Sequence, residues 1–256
     1  MSSTAEARLD LLLAELKLPT IRRNHRKIAD EVTRSGGDYS SYLCALVEEE
    51  VAERGSRRVQ RRMKEARFPQ VKLLADLDEK ALPKGVTRAQ LHELATGAYL
   101  DEAVNVLAVG GSGTGKTHVS IALGVEACQQ GRRVRFFTAT ELVSALEEAQ
   151  ENHQLHRFLK RIGALDLLIV DELGYVPVTE HGAQLLFQAF SERHERASTI
   201  LNTNLPFSDW AQVFKTERLA VAMLDRVTHR AQILEMNGES YRLRSAKRKA
   251  GGTKGK

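Results

Sequence analysis

The chain has 256 residues, 42% hydrophobic and 28% charged, with a formal net charge of +5, which suits one α/β domain carrying a smaller appendage. Its two cysteines, Cys44 and Cys128, show neither metal-ligand spacing nor a disulfide framework, as expected in a reducing compartment. The N-terminus carries acids and no basic n-region, and no segment approaches the roughly 20 apolar residues of a membrane span, so the expectation is a cytoplasmic protein with no membrane contact.

In chain order, residues 5–67 read as helices. Leu9, Leu12, Leu13 and Leu16 recur at helical spacing, and after "SGGDYSS" the pattern Tyr42, Leu43, Leu46, Val47, Val51 resumes. It runs into a basic stretch: from Arg54 to Lys72 there are eight Lys or Arg and one acid, Glu65. Arg57, Arg58, Arg61 and Arg62 share a helix face. With Lys64 and Arg67 they are the candidate contacts to nucleic acid, because each cation set against a phosphate releases condensed counterions. Arg22, Arg23, Arg26 and Lys27 form an earlier group, and the tail "RLRSAKRKAGGTKGK" is basic without apolar periodicity. Pro69 ends the basic helix by disfavouring helical geometry in Phe68. The expected organisation is a helical N-terminal domain over 1–70, a connector over 71–98, a nucleotide-binding domain over 99–242 and a disordered basic tail over 243–256.

Beyond residue 104, short apolar runs alternate with amphipathic stretches. Strands are expected at 105–109, 133–138, 166–171, 199–203 and 232–236, and helices at 116–130, 139–161, 180–196 and 209–230. Continuous apolar runs separated by helices predict a parallel sheet covered on both faces. The predicted fold is a P-loop α/β domain with five parallel strands, preceded by a small all-helical domain.

The chemistry concentrates at three strand ends. "GGSGTGKT" fits G-x-x-x-x-G-K-[ST] between a strand and a helix. Gly110, Gly111, Ser112, Gly113, Thr114 and Gly115 let backbone N–H groups cradle phosphates at the helix's positive end. Lys116 neutralises β/γ oxygens of ATP, and Thr117 is a ligand for Mg²⁺. His118 follows and is counted with the loop, packing or capping the first turn. "LDLLIVDELGY" ends a strand in Asp171, a second holder of Mg²⁺, and Glu172, placed to activate the attacking water. "STILNTNLPFSDW" offers Asn204 as a bridge between γ-phosphate and water, with Asn202 as its rival. "AVAMLDRVTHR" offers Arg226 as a transition-state arginine supplied by a neighbouring subunit, with Arg218 and Arg230 as rivals. His153 and His156 lie three apart without a completing metal cluster.

These residues carry a likeness. The chain resembles the IstB family, ATP-binding helpers of bacterial insertion sequences within the AAA+ superfamily, through "LKLPTIRR", "EEEVAERGSRRVQRRMKEARFPQVK", "GGSGTGKTH", "LLIVDELGYVPV", "NTNLPFSDWAQVF" and "LDRVTHRAQILEMNGESYRLR". The resemblance implies an AAA+ ATPase core, and because the sequence runs only a little past the "ILEM" strand, no separate lid domain is expected, a departure from many AAA+ proteins. It also implies a homo-oligomer with nucleotide at subunit interfaces that assembles on double-stranded DNA, deforms it, and recruits or stimulates a DDE transposase. It supports Lys116, Thr117, Asp171, Glu172, Asn204 and Arg226 in the roles above. Two departures stand out: Gly-Gly-Ser where many relatives have prolines in the loop, and Asn202 where Thr is usual. The alternative is a DnaC-like helicase loader that binds single strands, which usually brings aromatic stacking platforms. Aromatic residues are 5% of the chain and the basic stretch holds only Phe68, which favours duplex backbone. A third reading, an adaptor that binds ATP without turnover, is opposed by Glu172.

Overall fold

The computed structural model describes residues 3–78, 82–83, 85–175, 178–238 and 240–241. The basic tail, and Glu239 and Arg242 of the "GESYRL" motif, lie outside the described residues. The chain divides into two units, residues 1–61 and 62–256.

The first unit is built from α1 (Ser3–Glu15), α2 (Pro19–Arg34) and α3 (Tyr39–Ala66), the last of which runs on past residue 61. The helices bury Leu13, Ile21, Ile28 and Leu46. Helix α2 starts with Pro19 and has no side-chain cap of its own, so its first N–H groups need an outside acceptor. The buried Glu50 carboxylate supplies it, accepting from the backbone N–H of Thr20 at 2.8 Å and of Ile21 at 3.1 Å. Arg54 Nε donates to the same carboxylate at 2.8 Å. Gly36, at φ +72°, makes the turn into α3 that "SGGDYSS" announced.

The second unit is a parallel sheet of β1 (Asn105–Val109), β2 (Val134–Thr138), β3 (Leu167–Leu173), β4 (Ser198–Thr203) and β5 (Ala231–Glu235), in the order β2-β3-β4-β1-β5. Its helices are α4 (Arg88–Ala95), α5 (Ala98–Asp101), α6 (Lys116–Gln129), α7 (Ala139–Glu151), α8 (Leu155–Gly163), α9 (Glu180–Arg193), α10 (Trp210–Phe214) and α11 (Glu217–Thr228). Strand β3 shows why the strands read as unbroken apolar runs. Leu168 and Val170 enter a core shared with α7 to α11, while Leu167 and Ile169 enter the opposite core with α4 and α6. Both faces are covered, and period-2 alternation distributes one strand between them.

Several boundaries differ from the sequence expectation. The helix expected over 139–161 is two, α7 and α8, because His153 takes the left-handed conformation at φ +55°. The helix expected over 209–230 is also two. Lys215 turns left-handed at φ +65°, and Thr216 caps α11 by accepting from Leu219 N–H. Neither break carries a Gly or Pro, which is why periodicity ran through both. Strand β3 extends to Leu173, past the expected end at 171, and α9 stops at Arg193 rather than 196. Within 71–98, expected as a connector, Thr87 and Gln90 form a capping box for α4, and Leu91 and Leu94 are buried in the sheet's core. The end of the basic helix packs here as well. The Phe68 ring lies so close to Gly124 of α6 that a Cβ there would meet it at 2.9 Å, and Arg62 Nε donates to Gly131 O at 3.0 Å.

Candidate nucleotide-binding site

Strands β1, β3 and β4 all end at one edge of the sheet, the carboxyl edge where open α/β sheets bind ligands. The loop after β1 holds Gly110 at φ +156°, with no room for a side chain. A Cβ there would stand 2.1 Å from Met236 O, because the chain leaving β5 is tied to β1 by Met236 N–H donating to Val109 O. Gly115 starts α6 in the left-handed region at φ +100°, which turns the loop N–H groups toward the mouth. Lys116 Nζ donates to Gly110 O at 2.6 Å and to Gly111 O at 2.7 Å, and Thr114 Oγ1 donates to Gly111 O at 2.9 Å.

The second strand end is re-aimed by a bulge. Val170 pairs with Leu201 and Leu173 with Thr203, so β3 carries one residue more than β4 in that interval. The extra residue lets Glu172 adopt φ +62°, a left-handed backbone rare for a glutamate. Asp171 is buried and Glu172 exposed. Strain of this kind costs on the order of 1–3 kcal/mol and collects at functional sites. Asp171 Oδ1 accepts from Asn202 Nδ2 at 2.8 Å and from Glu172 N–H at 3.0 Å.

Ser112, Gly113, Lys116, Thr117, Asp171, Glu172, Asn202 and Asn204 line one small cavity of about 100 Å³. A larger neighbour of about 700 Å³ is walled by Gly113–His118 on one side and by Lys72, Asp76, Leu77, Met236 and Tyr241 on the others. Together they offer a phosphate end and a wider end of nucleoside size. His118 donates from Nε2 to Leu73 O at 2.9 Å, joining the first turn of α6 to the segment ahead of α4. The donor set, one hydroxyl and one carboxylate beside a P-loop lysine, is the hard-oxygen kind that suits Mg²⁺. Gly110 and Gly115 both hold a positive φ that side chains rarely adopt, the backbone freedom a phosphate-cradling loop needs.

Arg226 is not among these residues. It sits near the end of α11 with its guanidinium 4.9 Å from the Phe187 ring centroid, and its carbonyl accepts from His194 Nδ1 at 3.2 Å. Arg218 and Arg230 are exposed. Of the basic stretch, Arg57, Arg58, Arg61, Lys64 and Arg67 are exposed, and Arg57 is ion-paired with Glu53 at 3.0 Å. Arg62 is held between Gly131 O and Glu65. Sequence reasoning missed Ser120, which donates from Oγ to Asn202 Oδ1 at 2.7 Å. The one signal was a hydroxyl three residues after Thr117, inside the otherwise apolar run Val119–Val125. It also missed Met236 and Tyr241, whose N–H donates to Gly113 O at 2.9 Å, because only the return of the chain after β5 brings them to the loop.

A five-stranded parallel sheet in this order, with a P-loop after β1 and an acidic pair at the end of the β3 strand, defines a P-loop nucleotide-binding core. The profile of the IstB-like ATP binding protein family matches residues 11–250, and the chain belongs to that family. It is 37% identical, over 95% of its length and 91% of the relative's, to a protein named for ATP binding in insertion sequence IS21 of Pseudomonas aeruginosa. It is 38% identical, over 94% and 81%, to an insertion-sequence ATP-binding protein of Sinorhizobium fredii. A third relative, from insertion sequence IS5376 of Geobacillus stearothermophilus, is 35% identical over 90% and 91%. Among solved structures, the DnaC helicase loader is similar at TM-score 0.51 and 22% identity, covering 60% of this chain and 92% of that one. AMPPCP-bound DnaA from Aquifex aeolicus is similar at TM-score 0.52 and 22% identity over 72% of this chain, which spans 56% of that protein. These structural likenesses speak to the fold. No helix among the described residues is long and apolar enough to cross a membrane.

Proposed function

We propose that this chain is the ATP-driven assembly factor of an insertion sequence. It binds ATP, assembles on double-stranded DNA as a homo-oligomer with nucleotide at the subunit interfaces, deforms that DNA, and recruits or stimulates a DDE transposase in the cytoplasm. The observation that carries the reading is the gathering of Lys116, Thr117, Asp171, Glu172 and Asn204 around one cavity in a chain of the insertion-sequence ATP-binding family.

Lys116 leaves the loop carbonyls for the β/γ oxygens of ATP, exchanging neutral acceptors for charged ones. Mg²⁺ held by Thr117 and Asp171 would supply further neutralisation of those oxygens. Glu172 takes a proton from the water that attacks the γ-phosphorus, Asn204 orients that water, and the bond to the β-bridging oxygen breaks to leave ADP and phosphate. Arg226, which does not line its own chain's cavity, serves a neighbour's nucleotide, so a complete site needs two subunits. Hydrolysis then acts as a timer that dissolves the assembly. The exposed Arg57, Arg58, Arg61, Lys64 and Arg67 are the DNA-backbone candidates, whereas Arg62 is committed to packing.

The test is fluorescence anisotropy of matched duplex and single-stranded oligonucleotides with ATP plus Mg²⁺, with ADP, and without nucleotide. Duplex binding that depends on ATP, weakens steeply with salt and coincides with a large species on a sizing column is the expected result. Preference for single strands, or indifference to nucleotide, overturns it.

A further inference from the structure

Asp171 is 4% exposed, and both of its hydrogen bonds fall on a single oxygen. Oδ1 takes Asn202 Nδ2 at 2.8 Å and Glu172 N–H at 3.0 Å. A carboxylate oxygen that accepts from two donors is fixed in place, and Oδ2 is left to act on whatever enters the cavity. Asn202 has no solvent exposure. Its amide has one sensible orientation, because Ser120 Oγ–H donates to Asn202 Oδ1 at 2.7 Å. Turning the amide over would set its carbonyl against the Asp171 carboxylate. Ser120 is itself fully buried on α6, three residues after Thr117 and therefore on the same face of that helix. Two short hydrogen bonds thus join the helix that carries Thr117 to the strand that carries Asp171.

We infer that Ser120 and Asn202 form a buried relay that sets the position of Asp171 relative to Thr117 and thereby sets the affinity of the nucleotide site for its divalent cation. Asn202 is a positioning residue, acting through Asp171. The inference rests on the proposed reading of Asp171 as a holder of the cation. The relay keeps the carboxylate in its cation-ready orientation before any ligand arrives, so its loss weakens the cation without weakening the nucleotide's own contacts to the loop. Partners that orient a metal-holding side chain in this way typically contribute 10–100-fold in metal affinity.

The experiment uses the full chain and a fluorescent N-methylanthraniloyl ATP, titrated first in EDTA and then with MgCl2. Asn202→Leu keeps the volume and removes both hydrogen bonds, Ser120→Ala removes only the outer one, and Asp171→Ala is the reference. The expected result is nucleotide affinity in EDTA within about 2-fold of wild type for Ser120→Ala, whose side chain does not line the cavity. The Mg²⁺ half-saturation point should rise roughly 10-fold for Asn202→Leu and roughly 3-fold for Ser120→Ala, the lower figure reflecting the intact inner bond. A half-saturation point moved by Asp171→Ala but by neither relay variant overturns the relay alone. One that Asp171→Ala also leaves in place removes Asp171 as the holder, and the relay with it. If Asn202→Leu fails to fold, Ser120→Ala decides. A lowered melting temperature with an unmoved Mg²⁺ point marks Ser120 as mere packing and refutes the inference.

Discussion

Arg193 of α9 is 1% exposed and has no carboxylate among its hydrogen-bond partners. Its guanidinium spans the carbonyls of Ile162, Leu165 and Ser198 and the hydroxyl of Thr199, and so ties the end of α8 to the start of β4. Burial lowers its pKa to about 9, with Asp166 opposing that shift, so it stays charged at neutral pH. Four bonds from a charged donor are worth about 1.5–3 kcal/mol each, a figure already net of the hydration given up. Arg193→Met keeps the stem's packing but leaves these buried acceptors without their donor, for an expected loss of about 4 kcal/mol. At about 2–4 °C per kcal/mol for a unit of this size, calorimetry should show melting lowered by roughly 8–16 °C. Nucleotide affinity well below the melt should remain within about 3-fold, since Arg193 does not line the cavity. A variant that melts within about 2 °C of wild type, or above it, refutes the account of Arg193 as a tie between elements.

Glu172→Gln should leave ATP binding within about 3-fold while lowering phosphate release by 10²–10⁴-fold, the usual contribution of a general base. Duplex complexes formed with ATP should then persist in the anisotropy assay, and undiminished phosphate release rules Glu172 out as the base. Gly110→Ala drives a Cβ to 2.1 Å from Met236 O, a backbone atom with nowhere to go. It should weaken ATP by at least 10-fold in a calorimetric titration, and wild-type affinity would show that the loop does not need this close approach. Glu50 bears on acid stability. Burial alone would raise its pKa, but hydrogen bonds from Arg54, Ile21 N–H and Thr20 N–H hold it below the ordinary value of 4.5. A carboxylate lowered on folding stabilises above its unfolded pKa and stops doing so as pH falls through the folded one. Hydrogen exchange in residues 19–34 of the full chain should therefore lose protection below about pH 4.5, and Glu50→Gln should flatten that dependence.

Much of the core was legible because its signals are local. Five apolar runs, the glycine loop and the acidic strand end each depend on a handful of consecutive residues, and the strands fell within two residues of their expected ends. The breaks at His153 and Lys215 were not legible, since left-handed residues of ordinary type leave no mark on hydrophobic periodicity. Arg62 shares its spacing with Arg58 and Arg61, yet only its place against Gly131 O separates a packing arginine from exposed ones.

The sequence by itself determined the class of fold and the residue types gathered at the candidate nucleotide site, because a glycine-rich loop and an acid-tipped strand are built from short contiguous segments. Tertiary structure decided how the pieces meet. The bulge at Glu172 depends on the register of β3 against β4. The closure of the loop by Met236 and Tyr241 depends on where the chain goes after β5. The line from Ser120 through Asn202 to Asp171 joins residues 82 and 31 positions apart. Hydrogen bonds across such separations follow from which strands lie side by side, a property of the folded sheet that no local pattern encodes.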